Sequence, residues 1–211
     1  SDYHFNGNNL AFSAENIFKI TSKLSITPGA RLEVLFTDVN GYYKTDSIRF
    51  NDDRNYKRIF PLFGVGISYK AHHLAEIYTN ISQNYRGINY TDLRITNPNV
   101  RVDPNITDEK GFNADIGLRG KNGEKFNYDF NFFALYYNKK VGSIQQVDSA
   151  FNIYRFKTNI SNSRSLGVES FVEVDIIKCI NEHSNFGASV FSNFTYTNAI
   201  YIKSYFMNFI N

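Results

Sequence analysis

The sequence predicts an all-β protein, an antiparallel meander of about eight strands that forms part of a transmembrane β-barrel. Three observations predict it. Apolar residues recur at every second position in eight separate stretches, the pattern of a strand with one greasy and one wet side. The links between those stretches alternate short and long, as the turns and loops of a membrane barrel do. No stretch makes a convincing helix.

The clearest unit runs from Leu74 to Gly120. In its first part Ala75, Ile77, Thr79 and Ile81 oppose Glu76, Asn80, Ser82 and Asn84. In its last part Phe112, Ala114, Ile116 and Leu118 oppose Asn113, Asp115, Gly117 and Arg119. Between them lies a polar connection with the turn formers Gly87, Asn97-Pro98 and Asp103-Pro104. A connection of that length is uncommon in a compact domain and is usually functional.

Taken in order, residues 1–9 are polar and read as a loop end. Leu10–Ile20 is an imperfect strand, interrupted on its apolar side by Asn16. Leu24–Thr37 is the cleanest strand, with Leu24, Ile26, Leu32, Val34 and Phe36 against Ser25, Thr27, Arg31 and Glu33. Pro28 is tolerable only near a strand end. Asp38–Arg58 reads as a long polar loop, Ile59–Lys70 as a strand, and Ala71-His72-His73 as a tight link. Lys121-Asn122-Gly123 carries the Asn-Gly pair favoured in hairpins. Phe126–Lys140 sets Phe126, Tyr128, Phe130 and Phe132 against Asn127, Asp129 and Asn131. Val141–Ser163 reads as a third long loop. Leu166–Ile177 and Asn185–Ala199 are the last two strands, joined by a link at Lys178–Ser184.

Composition narrows the class. Basic and acidic residues number 23 and 20, so no nucleic-acid partner is indicated. The single Cys179 excludes an intramolecular disulfide framework and reads as a bland thiol near a turn. No apolar run approaches the roughly 18 residues of a membrane-spanning helix. That excludes a helical membrane protein and leaves a barrel open, because a barrel's membrane signal alternates. The chain starts at Ser1 and stops at Phe209-Ile210-Asn211, which reads as a fragment or processed piece. Alternation alone also fits a soluble β-sandwich, or a complete small eight-stranded or porin-like barrel. The alternation of loop lengths and the segregation of charge to one face favour the membrane barrel.

Several motifs carry a resemblance. Leu24–Glu33 (LSITPGARLE), the preceding Glu15-Asn16-Ile17-Phe18, and Ile81–Arg86 (ISQNYR) resemble strands of TonB-dependent outer-membrane receptors. So do Asp103-Pro104-Asn105 through Lys110-Gly111 into Asp115–Arg119, and Ser163–Glu169. Together they cover about Ala11 to Tyr201 and look most like the ferric-citrate receptor branch. The resemblance implies a barrel of about 22 strands with a plugged lumen. It also implies an outer-membrane location with lipid around the wall, uptake of an iron chelate (ferric citrate or another siderophore), and energy from the TonB complex through an N-terminal part that this chain lacks. No cofactor and no enzymatic activity are implied.

Candidate sites follow from the same reading. The polar wall of the lumen would hold Arg31, Glu33, Asp115, Arg119, Glu169 and Glu173, with Arg31–Glu33 and Asp115–Arg119 as parts of ion-pair ladders. The carboxylates of Glu169, Glu173 and Asp175 share a face and read as lumen wall rather than as a catalytic pair. His72-His73 sits in a turn with its rings pointing apart, a poor metal site without a nearby acid or thiol. Ligand contacts are expected on the loop with Arg86, Arg94 and Arg101, Tyr85 and Tyr90, since arginine presents paired donors to a carboxylate-rich anion.

Overall fold

In the computed structural model, residues 1–45, 48–95 and 99–205 are described. Their strands belong to one sheet: β1 (Asp2–Glu15), β2 (Phe18–Lys19), β3 (Leu24–Thr45), β4 (Ile48–Asn51), β5 (Arg54–His72), β6 (Ala75–Arg86), β7 (Val100–Val102), β8 (Glu109–Asn122), β9 (Phe126–Val147), β10 (Ile153–Asp175) and β11 (Ser189–Ser204). Eight long strands pair antiparallel in the order β1-β3-β5-β6-β8-β9-β10-β11, so each lies beside its neighbour in sequence. The short β2 and β4 pair with β3, and β7 runs parallel to β10. Among the described residues there is no second sheet, as a sandwich requires, and the ladder does not join β1 to β11, as a closed eight-stranded ring requires.

The expected faces are those observed. Leu32, Phe36, Ile59, Phe63, Ile77, Ile81, Phe112, Ile116, Phe130 and Phe132 are exposed on one side, here the outer face. Their strand neighbours Glu33, Thr37, Phe60 and Gly117 are buried on the other, the inner face. A period of two makes this separation automatic once one residue of each strand is oriented.

The strands are longer than their hydrophobic pattern. Asp2–Asn9 pairs with Leu35–Tyr42, so the polar start of the chain is strand and not a loop end. β3 continues through Thr45, and β5 begins at Arg54, so most of the expected loop at 38–58 is paired. The expected loop at 141–163 is likewise a hairpin of β9 and β10 with its tip at residues 148–152. Beyond the apolar band the ladder continues where regular alternation of polarity has ceased. The first predicted strand breaks after Glu15, where the Asn16 N–H donates to the Pro28 carbonyl at 3.2 Å. Pro28 therefore sits where the β1 ladder ends. At the other short turn Gly123 has φ +56° and the Lys125 N–H closes on the Asn122 carbonyl at 3.0 Å, which is what an Asn-Gly pair supplies.

Two helices of one turn were not anticipated: α1 (Tyr90–Leu93) and α2 (Ile176–Ile180). Neither is long enough to show a helical period; both are specified by caps. Asn89 and Asp92 form a reciprocal capping box on α1, and the Asp175 carboxylate accepts the Lys178 N–H on α2. Asn97-Pro98 and Phe209-Ile210-Asn211 lie outside the described residues.

The sheet parts in one place. Pairing between β5 and β6 stops at Gly64 and Ser82. The next outer residue of β5, Phe63, donates its N–H to the Gln83 side chain at 3.1 Å, and two residues further Pro61 has no N–H to offer. The upper part of β6 thus leaves β5 and leans over the inner face, where Tyr85 stacks on Phe60 with ring centroids 3.9 Å apart. Lower down, Tyr78 of β6 lies over Gly117 of β8 and reaches Asp129 of β9 at 2.7 Å. A Cβ at 117 would overlap the Tyr78 ring.

Candidate functional site

Because β6 leans inward, the segment between β6 and β8 crosses the inner face as a strap. Tyr90 packs on Phe5 of β1 at 4.7 Å, and the Leu93 carbonyl accepts from Arg54 of β5 at 2.7 Å. At the far side Lys157 of β10 donates to the carbonyls of Thr91 and Arg94 at 2.5 and 2.9 Å. Beneath the strap Ile88, Leu93 and Ile106 close on Val39, with Tyr3, Phe5, Tyr56, Val102 and Val141 around them. Leu93 is 1% exposed. Burying one such side chain contributes roughly 1.5–3 kcal/mol, enough to hold a strap that lacks long strands of its own.

Ion pairs fix the strap at its corners. Arg58 of β5 meets Asp108 at 2.7 Å and donates to the Ile88 carbonyl at 3.3 Å and the Thr37 hydroxyl at 2.6 Å. Arg86 spans Asp92 and Glu109, both at 2.9 Å. Glu109 is 1% exposed and also takes Lys140 at 3.0 Å and the Val141 N–H at 2.9 Å, so its buried charge is compensated on two sides. Burial under the strap pushes the Lys157 ammonium below its ordinary value.

The five residues expected on one ligand-binding loop are divided by this arrangement. Arg86 is held between its two carboxylates. Arg101 pairs with Asp148 at 3.0 Å and stacks on Tyr154 at 4.0 Å. Arg94 is exposed and caps the C-terminus of α1 with its N–H. Tyr85 and Tyr90 do come together, lining a cleft of about 500 Å³ between strap and wall with Asn9, Leu35, Thr37 and Arg58. The Tyr85 hydroxyl bonds Glu33, which also holds Arg31 and accepts from Asn9 at 3.3 Å. Arg58 is the residue that sequence reading missed, because it fell in a stretch taken for loop.

The remaining wall residues lie on the inner face, with partners that differ in part from those expected. Arg119 pairs across strands with Glu76 at 2.7 Å, while Asp115 accepts from Asn80 at 3.3 Å. Asp115 and Arg119 share a face but lie four residues apart, and the cross-strand neighbour stands closer, so Glu76 opposite Arg119 takes the guanidinium. Glu169 stands opposite Asn131 and Thr195, and Glu173 opposite Asn127 and Phe191. The His72 and His73 rings lie side by side at 3.9 Å rather than apart. No group of three potential metal ligands forms among the described residues. Cys179 is exposed on α2.

Comparison with known proteins decides the family. A model described as "TonB dependent receptor-like, beta-barrel" matches residues 1–208. The chain belongs to that family. Solved structures of metal and siderophore receptors and transporters share its fold at low identity. The ferric yersiniabactin uptake receptor of Yersinia pestis aligns at TM-score 0.70 with 14% identity, over 95% of this chain and 28% of that one. The unliganded ferric citrate transporter aligns at 0.68 with 17% identity, over 95% and 27%. A copper transporter aligns at 0.66 with 13% identity, over 90% and 30%. The chain therefore spans between a quarter and a third of the length of these proteins. No curated protein sequence matched it.

Proposed function

We propose that these strands are an arc of the wall of an outer-membrane receptor that imports an iron chelate, ferric citrate or another siderophore, with energy from the TonB complex. The observation that carries this reading is the division of the sheet: an apolar outer face suited to lipid, and an inner face of Glu, Arg, Asn and Tyr crossed by a strap. Lipid tolerates strands only where their backbone is paired, and the long ladders supply that pairing through most of the sheet. Family membership and the receptors of similar fold support the transport role over an enzymatic one.

Within this reading the cleft is the chelate contact. Tyr85 and Tyr90 offer hydroxyls and ring faces there, and Arg94, outside the cleft lining, is exposed elsewhere on the strap. Arg86 and Arg101 act by holding the strap to Glu109, Asp92 and Asp148, so their effect on the chelate is indirect. Competition binding of labelled ferric citrate to outer-membrane vesicles tests it. Tyr90→Phe and Arg94→Ala are expected to weaken binding, and Arg101→Lys to leave it unchanged. Unaltered affinity in Tyr90→Phe removes the cleft from the site, and in Arg94→Ala removes Arg94. Binding of a different ferric siderophore, with none of ferric citrate, changes the cargo and keeps the receptor.

A further inference from the structure

The short link between β10 and β11 carries an apolar surface of its own. β10 files Leu166, Val168, Val172 and Val174 along its outer side, where Val168 stands opposite Phe132 and Tyr196, and Val174 opposite Phe126 and Val190. Arg164, exposed, closes that file toward the β9–β10 tip. At the other end the ladder runs one rung past Asp175, since the Ile176 N–H donates to the Ala188 carbonyl at 2.9 Å. Ile176 therefore continues the outer file as the first residue of α2. One helical turn later Ile180 lies on the same face, with Cys179 beside it. All three are exposed, Ile180 at 83%.

Height and charge select the partner. From Leu166 to Ile176 the chain rises about 33 Å. At a tilt of about 40° this is about 25 Å along the barrel axis, the height of the apolar band of a membrane barrel. Ile176 thus marks the lower boundary of the hydrocarbon. The four helical residues after it add at most about 6 Å, roughly the thickness of one headgroup layer. The lysines of this link and of the adjacent turn are neutralised, Lys178 by Glu124 and Lys125 by Glu182, each at 2.7 Å. The backbone is served internally as well. The Asp175 carboxylate accepts the Lys178 N–H at 2.8 Å, and the Asn181 N–H closes on the Ile177 carbonyl at 2.8 Å. We propose that α2 lies in the phospholipid headgroup layer at the short-turn side of the membrane, with Ile176, Cys179 and Ile180 set against the adjoining acyl carbons. The proposal rests on the reading of the outer face as lipid-facing.

The test uses the intact protein reconstituted in vesicles of phosphatidylethanolamine and phosphatidylglycerol. A nitroxide is attached at Cys179, with any cysteine beyond residues 1–211 replaced by serine. Further labels are placed at Ile180→Cys, Phe132→Cys and Ala150→Cys, each with Cys179→Ser. Power saturation then compares collisions with oxygen, which concentrates in hydrocarbon, against collisions with a water-soluble nickel chelate. Oxygen is expected to dominate at 179 and 180 as at 132, and nickel at 150 on the β9–β10 tip. Nickel dominating at 179 and 180, with oxygen still dominating at 132, would overturn the proposal and leave the lipid face intact. Nickel dominating at 132 would overturn the face reading itself. In isolated outer membranes Cys179 is expected to react with a lipid-soluble maleimide and to resist a charged one, before and after a high-salt wash. Resistance lost on washing assigns α2 to a peripheral protein and overturns the proposal too.

Discussion

Tyr85 of β6 lies flat on Phe60 of β5 at 3.9 Å, although the ladder between their strands has already ended at Ser82. The stack replaces backbone pairing as the bond between the two strands, and its hydroxyl continues to Glu33 of β3.

The stack is measurable by a double-mutant cycle. Phe60→Leu and Tyr85→Leu, alone and together, are expected to show a coupling of about 1 kcal/mol beyond lost area in urea unfolding from detergent micelles. Tyr85→Phe should keep the coupling while freeing Glu33. Additive effects of the two leucine variants would mean the rings do not hold the strands.

Gln83 stands in for the missing rung of the ladder, since its carbonyl takes the Phe63 N–H at 3.1 Å. Gln83→Ala leaves that donor without a partner and is expected to cost about 1 kcal/mol in the same unfolding measurement. Hydrogen exchange at Phe63 should speed up in this variant, with the amides of Ile67 and Tyr69 unaffected. Unchanged exchange at Phe63 would show that the N–H finds another acceptor.

The two faces answer differently to charge. Phe132 is 64% exposed on the outer face, and its neighbour Asn131 is turned inward opposite Glu169. Arginine at 132 would face hydrocarbon, at a cost of roughly 2–4 kcal/mol near the bilayer midplane, and Phe132→Arg is expected to abolish assembly in the outer membrane. Asn131→Arg should assemble. Heat-modifiable mobility of membrane fractions separates the outcomes, and equal tolerance of both would reverse the face assignment.

The β9–β10 tip is sensitive to acid. Asp148 accepts the N–H groups of Asn152 and Ala150, each at 3.0 Å, and holds Arg101. Chiefly the backbone bond from Asn152 keeps its carboxyl below the ordinary carboxylate range. A depressed folded value means that the contribution is complete above the unfolded value of about 3.9 and is lost as pH falls through the folded one. Amide exchange at Ala150 and Asn152, corrected for intrinsic rate, is expected to accelerate below that point. In Asp148→Asn the corrected rate should not vary with pH across the same window.

Eight strands were legible in the sequence because a sheet with lipid on one side and polar contents on the other writes its geometry as alternation. Their upper halves were not legible. From Asp38 to Arg58 and from Val141 to Ser163 regular alternation is lost, and apolar residues there such as Val39, Tyr56 and Val141 meet the strap, so a paired strand has the composition of a loop. The site shows the same limit. Arg86 and Arg101 were visible as charges, but their partners Glu109 and Asp148 lie 23 and 47 residues away, and only the fold brings them together. Arg58 was passed over because its stretch of β5 had the composition of a loop. The one-turn helices escaped because a cap, not a period, defines them.

Gly117 shows how small a change the wall can register. Its missing side chain is the space in which the Tyr78 ring crosses from β6 to the Asp129 carboxylate on β9. A methyl group there would evict the phenol and strip the acid of its donor one strand beyond the substitution. At this height three staves of the wall share a single hoop, and the hoop passes through a hole one hydrogen wide.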